Sequence, residues 1–248
     1  MKRFGKLTIG LGFACALLAA NVNASVTIVG TRVVYPANQR EVTVKLDNDS
    51  HEPSLVQTWI DDGHQDAKPG EIKVPFVITP PIFRMDPQKS QTLRVIYTAD
   101  ASLPTDRESV YWLNVLDIPP KAKEGGDTTI LQFAYRTRVK LFMRPANLPG
   151  KPEEAPTQLS WKTVPAANGK GLALSVSNPT PYYVSFSAIE VESGGKTYQN
   201  EAGGMVAPKA TEVLPVTQMN AVQPGAKVHY TAISDYGAAL KGDAPLGQ

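Results

Sequence analysis

The sequence predicts an all-β chain folded as two β-sandwich domains. Three observations carry that reading. Runs of apolar and polar residues in strict alternation recur at about ten-residue spacing; no window of comparable length has the 3.6-residue period of an amphipathic helix; and one proline-rich break divides the runs into two series. At 248 residues, 42% apolar and 19% charged, the chain has globular composition and is long enough for two ordinary domains.

The first series comprises "SVTIVGTRVVY" from 25, "EVTVKLDN" from 41, "SLVQTWID" from 54, "QTLRVIYT" from 91 and "SVYWLNVLDI" from 109, closed by a seventh strand in "TTILQFAYRTRVKLFMRP", 128–145. Turn material such as "DDGHQDAKPG" and "DPQKS" separates them, and Pro80 and Pro81 predict a rigid turn of either isomer. The break is "RPANLPGKPEEAP", where four prolines and a glycine prevent any ladder. "GLALSVSN" from 171, "PYYVSFSAIEV" from 181, "TEVLPV" from 211 and "KVHYTAISDYG" from 227 make the second, smaller sandwich. Domains over 25–144 and 157–248 with a linker at 145–156 follow.

Residues 1–24 belong to neither domain. Lys2, Arg3 and Lys6 precede an apolar run from Leu7 to Ala20, and small residues at Val22-Asn23-Ala24 suit a signal peptidase. The run is interrupted by glycine and falls short of the about 20 residues of a spanning helix, so export rather than membrane embedding is expected. Loss of this segment takes the formal charge balance from 25 against 23 to 22 against 23, which leaves no basic field for nucleic acid. It also takes the only cysteine, Cys15, so stability must come from buried core.

His51, His64 and His229 have no ligand spacing, and neither a metal nor another cofactor is expected. The nucleophile and phosphate-loop motifs of enzymes are missing, and the paired carboxylates Asp61-Asp62 and Glu153-Glu154 read as solvated turn and linker charge. Trp59, Trp112 and Trp161 fall in strand-like runs and read as core.

The run at 128–145 is the unusual one. Leu131, Phe133 and Tyr135 alternate along one face, followed by Arg136, Arg138, Lys140 and Arg144. A long apolar terminal strand is an aggregation hazard unless paired. Either its apolar row packs into its own sandwich, or the strand adds to a sheet of another chain and the three side chains enter successive pockets there. Arg32 interrupts the first strand; first and last strands of a sandwich are often neighbours, so Arg32 and Lys140 form a candidate carboxylate site. Lys140 lies five residues beyond Tyr135, on the opposite face of a regular strand, which calls for a bulge, twist or bend if both serve one ligand.

"LPTDRESVYWLNVLDIPP", together with "TRVVYP", "TPPIFRMDP", "VKLFMRP", "NPTPYYV" and "ISDYG", resembles the signature of periplasmic pilus (fimbrial) chaperones, the PapD-like family, across the whole mature chain. The resemblance implies two immunoglobulin-like domains in a boomerang, no enzymatic activity, and pilus subunits as partners. It implies that the seventh strand completes a subunit lacking its own last strand, while Arg32 and Lys140 hold the subunit's C-terminal carboxylate. It further implies a salt-bridge network of Glu108, Arg144 and Asp235 between the domains, an outer-membrane usher meeting a surface that includes Pro80 and Ile118, and capping of free molecules by self-pairing. The short segment "IPPKAKEGGDTTI" and the cysteine-free mature chain resemble the short-loop subfamily. A secreted structural or adhesive module of the same fold is the alternative.

Overall fold

The computed structural model describes residues 26–99, 102–121, 131–167 and 169–247. The N-terminal strands are β1 (Val26–Ile28), β2 (Arg32–Pro36), β3 (Glu41–Asn48), β4 (Ser54–Asp61), β5 (Phe76–Thr79), β6 (Ile82–Met85), β7 (Ser90–Tyr97), β8 (Ser109–Ile118) and β9 (Tyr135–Arg144). They form a four-stranded sheet in the order β1-β3-β7-β5 and a five-stranded sheet in the order β2-β9-β8-β4-β6. Alternation puts Val44, Leu46, Leu93 and Val95 of the first sheet against Val33, Tyr35, Val56, Leu113, Val115 and Leu141 of the second. Each fully buried leucine of this core contributes about 1.5–3 kcal/mol.

The second sandwich follows with β10 (Ser160–Pro165), β11 (Leu172–Asn178), β12 (Val184–Ser193), β13 (Lys196–Asn200), β14 (Gly204–Val206), β15 (Ala210–Leu214), β16 (Lys227–Ile233) and β17 (Ala239–Gly247). Its two halves, β13-β12-β16-β17 and β10-β11-β15, are joined by a short parallel pairing of Trp161 with Leu246 and Lys162 with Gly247. Trp161, Phe186 and Tyr230 form its aromatic centre. Between the sandwiches, Ala155–Gln158 makes one short helical turn and the Tyr182 hydroxyl donates to the Gly150 carbonyl at 3.0 Å, which ties the proline-rich stretch to the second core.

Two expectations are corrected in ways that matter for function. The single first strand is two strands: β1 pairs with β3 in one sheet and β2 with β9 in the other, with Gly30 at φ +113° allowing the crossing. The seventh strand begins its ladder at Tyr135 rather than at 128, because its partner β8 runs into Pro119 and Pro120, which have no N–H to donate. Residues 128–130, the start of that expected strand, lie outside the described residues. The Thr79–Pro80 peptide is cis.

Candidate functional site

Because β2 crosses into the second sheet, it runs parallel to β9 with Arg32 directly opposite Lys140. Both side chains reach toward the second domain. Arg32 Nη1 donates to the Ile233 carbonyl at 2.9 Å, and Lys140 Nζ donates to Ser185 Oγ at 2.9 Å. Phe142, next on that face of β9, lies 6.0 Å from the Arg32 guanidinium and 5.6 Å from the Tyr183 ring. The result is a cleft floored by aromatic rings and holding two half-buried cations.

Among the described residues neither cation has a carboxylate within salt-bridge distance, and Arg32 Nε is buried without a hydrogen-bond partner. Burial, with the adjacent Arg32 charge adding to it, pushes the Lys140 ammonium down to about 8. Burial also lowers Arg32, against the pull of Asp235 and Glu108. An arriving anion would offset both the desolvation cost and the mutual repulsion of the two cations.

The neighbouring triad is saturated instead. Arg144 Nε donates to Glu108 Oε1 at 2.6 Å, and its two Nη atoms reach Asp235 at 2.7 and 2.9 Å. Glu108 Oε2 accepts the Tyr183 N–H at 2.8 Å, and the Glu108 side chain is 1% exposed. Although burial alone would depress the Arg144 guanidinium, its Asp235 and Glu108 partners raise it above its ordinary value. Asp235 sits on the β16–β17 turn, where a Cβ at Gly237 (φ +81°) would stand 2.7 Å from Thr31 Oγ1, so glycine lets that turn close on β2. A second interdomain pair, Lys209 Nζ to Asp106 Oδ2 at 2.5 Å, escaped sequence reasoning, since nothing in either residue's local pattern marks it. The same is true of Ser185 and the Ile233 carbonyl.

The free half of β9 lies beside the cleft. β2 covers only Lys140–Arg144, so Tyr135–Val139 are laddered to β8 on one side and have no strand on the other among the described residues. Val139, Leu141 and Met143 face the core, and Tyr135 shares their face but lies beyond the packed interior. Leu131, Phe133 and Tyr135 are 76%, 56% and 53% exposed, so the reading that packs this row into its own sandwich is overturned. The β8–β9 register is unbroken from Tyr135 through Met143: no bulge intervenes, and the apolar row and Lys140 occupy opposite faces of a regular strand.

The arginines of β9 have an acidic partner within the chain. Asp61 is not a solvated turn residue: it ends β4 with its side chain fully buried, accepting from Arg138 Nε at 2.9 Å and Nη2 at 2.5 Å. Trp59 is buried and Trp112 half-buried, but both lie on the outer face beneath Arg136 and Arg138, at 4.9 and 4.5 Å, rather than between the sheets; Trp161 is in the core of its sandwich. At the far edge of that face, Ile118 pairs in register with Leu55, and Leu55 and Ile82 are 47% and 58% exposed, while Pro80 is half-buried.

Residues 25–149 match the family model "Pili and flagellar-assembly chaperone, PapD N-terminal domain", and residues 154–244 match "Pili assembly chaperone PapD, C-terminal domain". The chain belongs to the PapD-like pilus chaperones. It is 46% identical over 244 residues to the probable fimbrial chaperone YadV of Escherichia coli (strain K12), covering 97% of this chain and 98% of that one. Against the chaperone protein FimB/FhaD of Bordetella pertussis it is 43% identical over 248 residues, covering 99% and 97%. The crystal structure of the YadV chaperone superposes with a TM-score of 0.77 at 45% identity, over 90% of this chaperone and 100% of that chain. The SafB chaperone, solved in complex with the SafA pilin of Salmonella enterica, superposes at 0.74 with 29% identity, over 92% and 99%. The immunoglobulin-like fold and the role in pilus assembly in the periplasm are those of this chaperone's family.

Proposed function

We propose that this chaperone captures pilus subunits by lending them β9, with Arg32 and Lys140 gripping the subunit's C-terminal carboxylate. One observation carries the reading: two facing, half-buried cations that have no acidic partner among the described residues adjoin a strand edge that, among those residues, is open over Tyr135–Val139. The incoming strand takes its hydrogen bonds from the open edge, and Leu131, Phe133 and Tyr135 fill its groove. The cleft fixes where that strand ends and so sets its register. The complex of SafB with a pilin supports the partner class. No cofactor and no bond-making step are needed.

Because Phe133 is 56% exposed and precedes the ladder, Phe133→Ser should leave the thermal midpoint unchanged yet weaken subunit binding at least about tenfold, measured by titration calorimetry. Unchanged affinity would remove Phe133 from the contact. A pH dependence follows from Lys140. In the free chaperone it loses its proton near 8, whereas a bound carboxylate raises its pKa. Between those two values binding takes up a proton, so affinity should be level below about pH 7 and fall by up to about tenfold per unit above 8. Lys140→Arg should abolish that slope, because guanidinium stays charged.

Other parts of the reading extend the same proposal. Residues 1–24, outside the described residues, serve as a cleaved export signal; domains span 25–144 and 157–248 around a 145–156 linker. The apolar margin at Ile118, Pro80, Leu55 and Ile82 meets the usher, and two free molecules cap their β9 edges against each other. Ile118→Asp should block usher binding with capture intact, and light scattering over a concentration series should show the dimer. No change in either measurement would withdraw the corresponding part.

A further inference from the structure

The outer face of the five-stranded sheet carries a polar network that the capture reading does not use. Asp61 Oδ2 accepts from Asn114 Nδ2 at 2.7 Å, and Oδ1 accepts from the Gly63 N–H at 2.8 Å, in addition to the two bonds from Arg138. Arg136 Nε donates to Asn114 Oδ1 at 2.8 Å, its Nη1 donates to the Gln65 carbonyl at 2.6 Å, and its Nη2 lies 3.6 Å from Asp61. Burial would raise the Asp61 carboxyl, but these donors hold it below the usual carboxylate range. The network spans β4, β8 and β9, and its β9 members, Arg136 and Arg138, both fall in the segment that, among the described residues, has a strand on one side only.

We propose that Asp61 is a positioning residue for subunit capture: clamping Arg138 directly and Arg136 through Asn114, it holds the open half of β9 straight before a subunit arrives. This rests on the capture reading above. A strand laddered on one side frays unless something else restrains it, and order imposed in advance is not lost from the binding free energy. Stacking on Trp59 and Trp112 fixes the arginine planes, so both guanidinium groups are anchored at face and edge. Solubility alone does not account for Asp61, since a carboxylate with no exposed side-chain surface contributes nothing to solvation. Net stability is also a weak account, because a buried pair replaced by apolar residues of similar volume is often neutral.

The test uses the whole free chaperone, with Asp61→Asn and the double variant Asp61→Leu/Arg138→Met, the latter guarding against an unfolded single variant. Amide hydrogen exchange over Tyr135–Val139 should accelerate at least about tenfold in both, with exchange in the second domain unchanged. The association rate with a fimbrial subunit should fall about tenfold, with the dissociation rate altered less. Wild-type exchange over Tyr135–Val139 in either folded variant would overturn the proposal, as would an unchanged association rate. Because exchange is read without any subunit, it fails independently of the capture reading, which is checked by Lys140→Ala alone.

Discussion

Lys140→Ala should abolish subunit capture while leaving the free chaperone as stable as the wild type or slightly more so. The two effects have opposite signs for one reason. In the free protein the ammonium is desolvated and faces Arg32, which is why its pKa sits near 8 rather than at 10.5. A native pKa below the unfolded value means that the protonated form is disfavoured in the fold, so deleting the group relieves the native state at pH 7. In the proposed complex the same group would hold a buried carboxylate. Removing it leaves that anion with Arg32 alone, at a cost of about 2–5 kcal/mol, roughly 30-fold to several thousand-fold in affinity. Arg32→Ala should act in the same direction. Calorimetric melts of the free protein and titration with a subunit separate the two effects, and a variant that lost stability and affinity in parallel would contradict the assignment.

The second large effect is at Arg144. Arg144→Met should destabilise the chaperone by about 3 kcal/mol, because it strands Glu108 in a site where the carboxylate is 1% exposed and only the Tyr183 N–H remains to bond it. Asp235→Ala should cost less, since its carboxylate is 20% exposed and its removal leaves the Arg144–Glu108 pair whole. Its effect should appear between the domains: Asp235 is the second-domain carboxylate that Arg144 holds, and the turn that carries it abuts Thr31, next to Arg32. Denaturant unfolding ranks the two variants, and small-angle scattering reads the change in interdomain angle. Equal destabilisation by both would mean that Glu108 is held by something other than Arg144.

The strands of this fold that combine alternation with β-branched residues were legible in the sequence. β4 and β8 coincide with the runs "SLVQTWID" and "SVYWLNVLDI", because each has one buried face and turn residues at both ends. The short strands β5 and β6, four residues each, carry too few alternations to register above their prolines. Arg32 and Lys140 could be nominated because a charge in an apolar strand is conspicuous; their direct apposition depends on the chain leaving the first sheet at Gly30, after β1, a tertiary event. Asp61 was misread for the converse reason. It sits beside Asp62 at the edge of turn composition, and the registers of β4, β8 and β9 bring Arg138 over it from 77 residues away, with Arg136 beside it. Trp59 and Trp112 are misplaced in the same way, since alternation tells that a residue faces one side of a sheet without telling which side is the core.

The most direct measurement is a comparison of one fimbrial subunit prepared with its natural C-terminal carboxylate and with a C-terminal amide, each titrated against wild-type chaperone and against Arg32→Ala/Lys140→Ala. The account predicts that the amide binds the wild type at least about a hundredfold more weakly than the acid, and that the double variant does not distinguish them. Equal affinity of acid and amide for the wild type would contradict it.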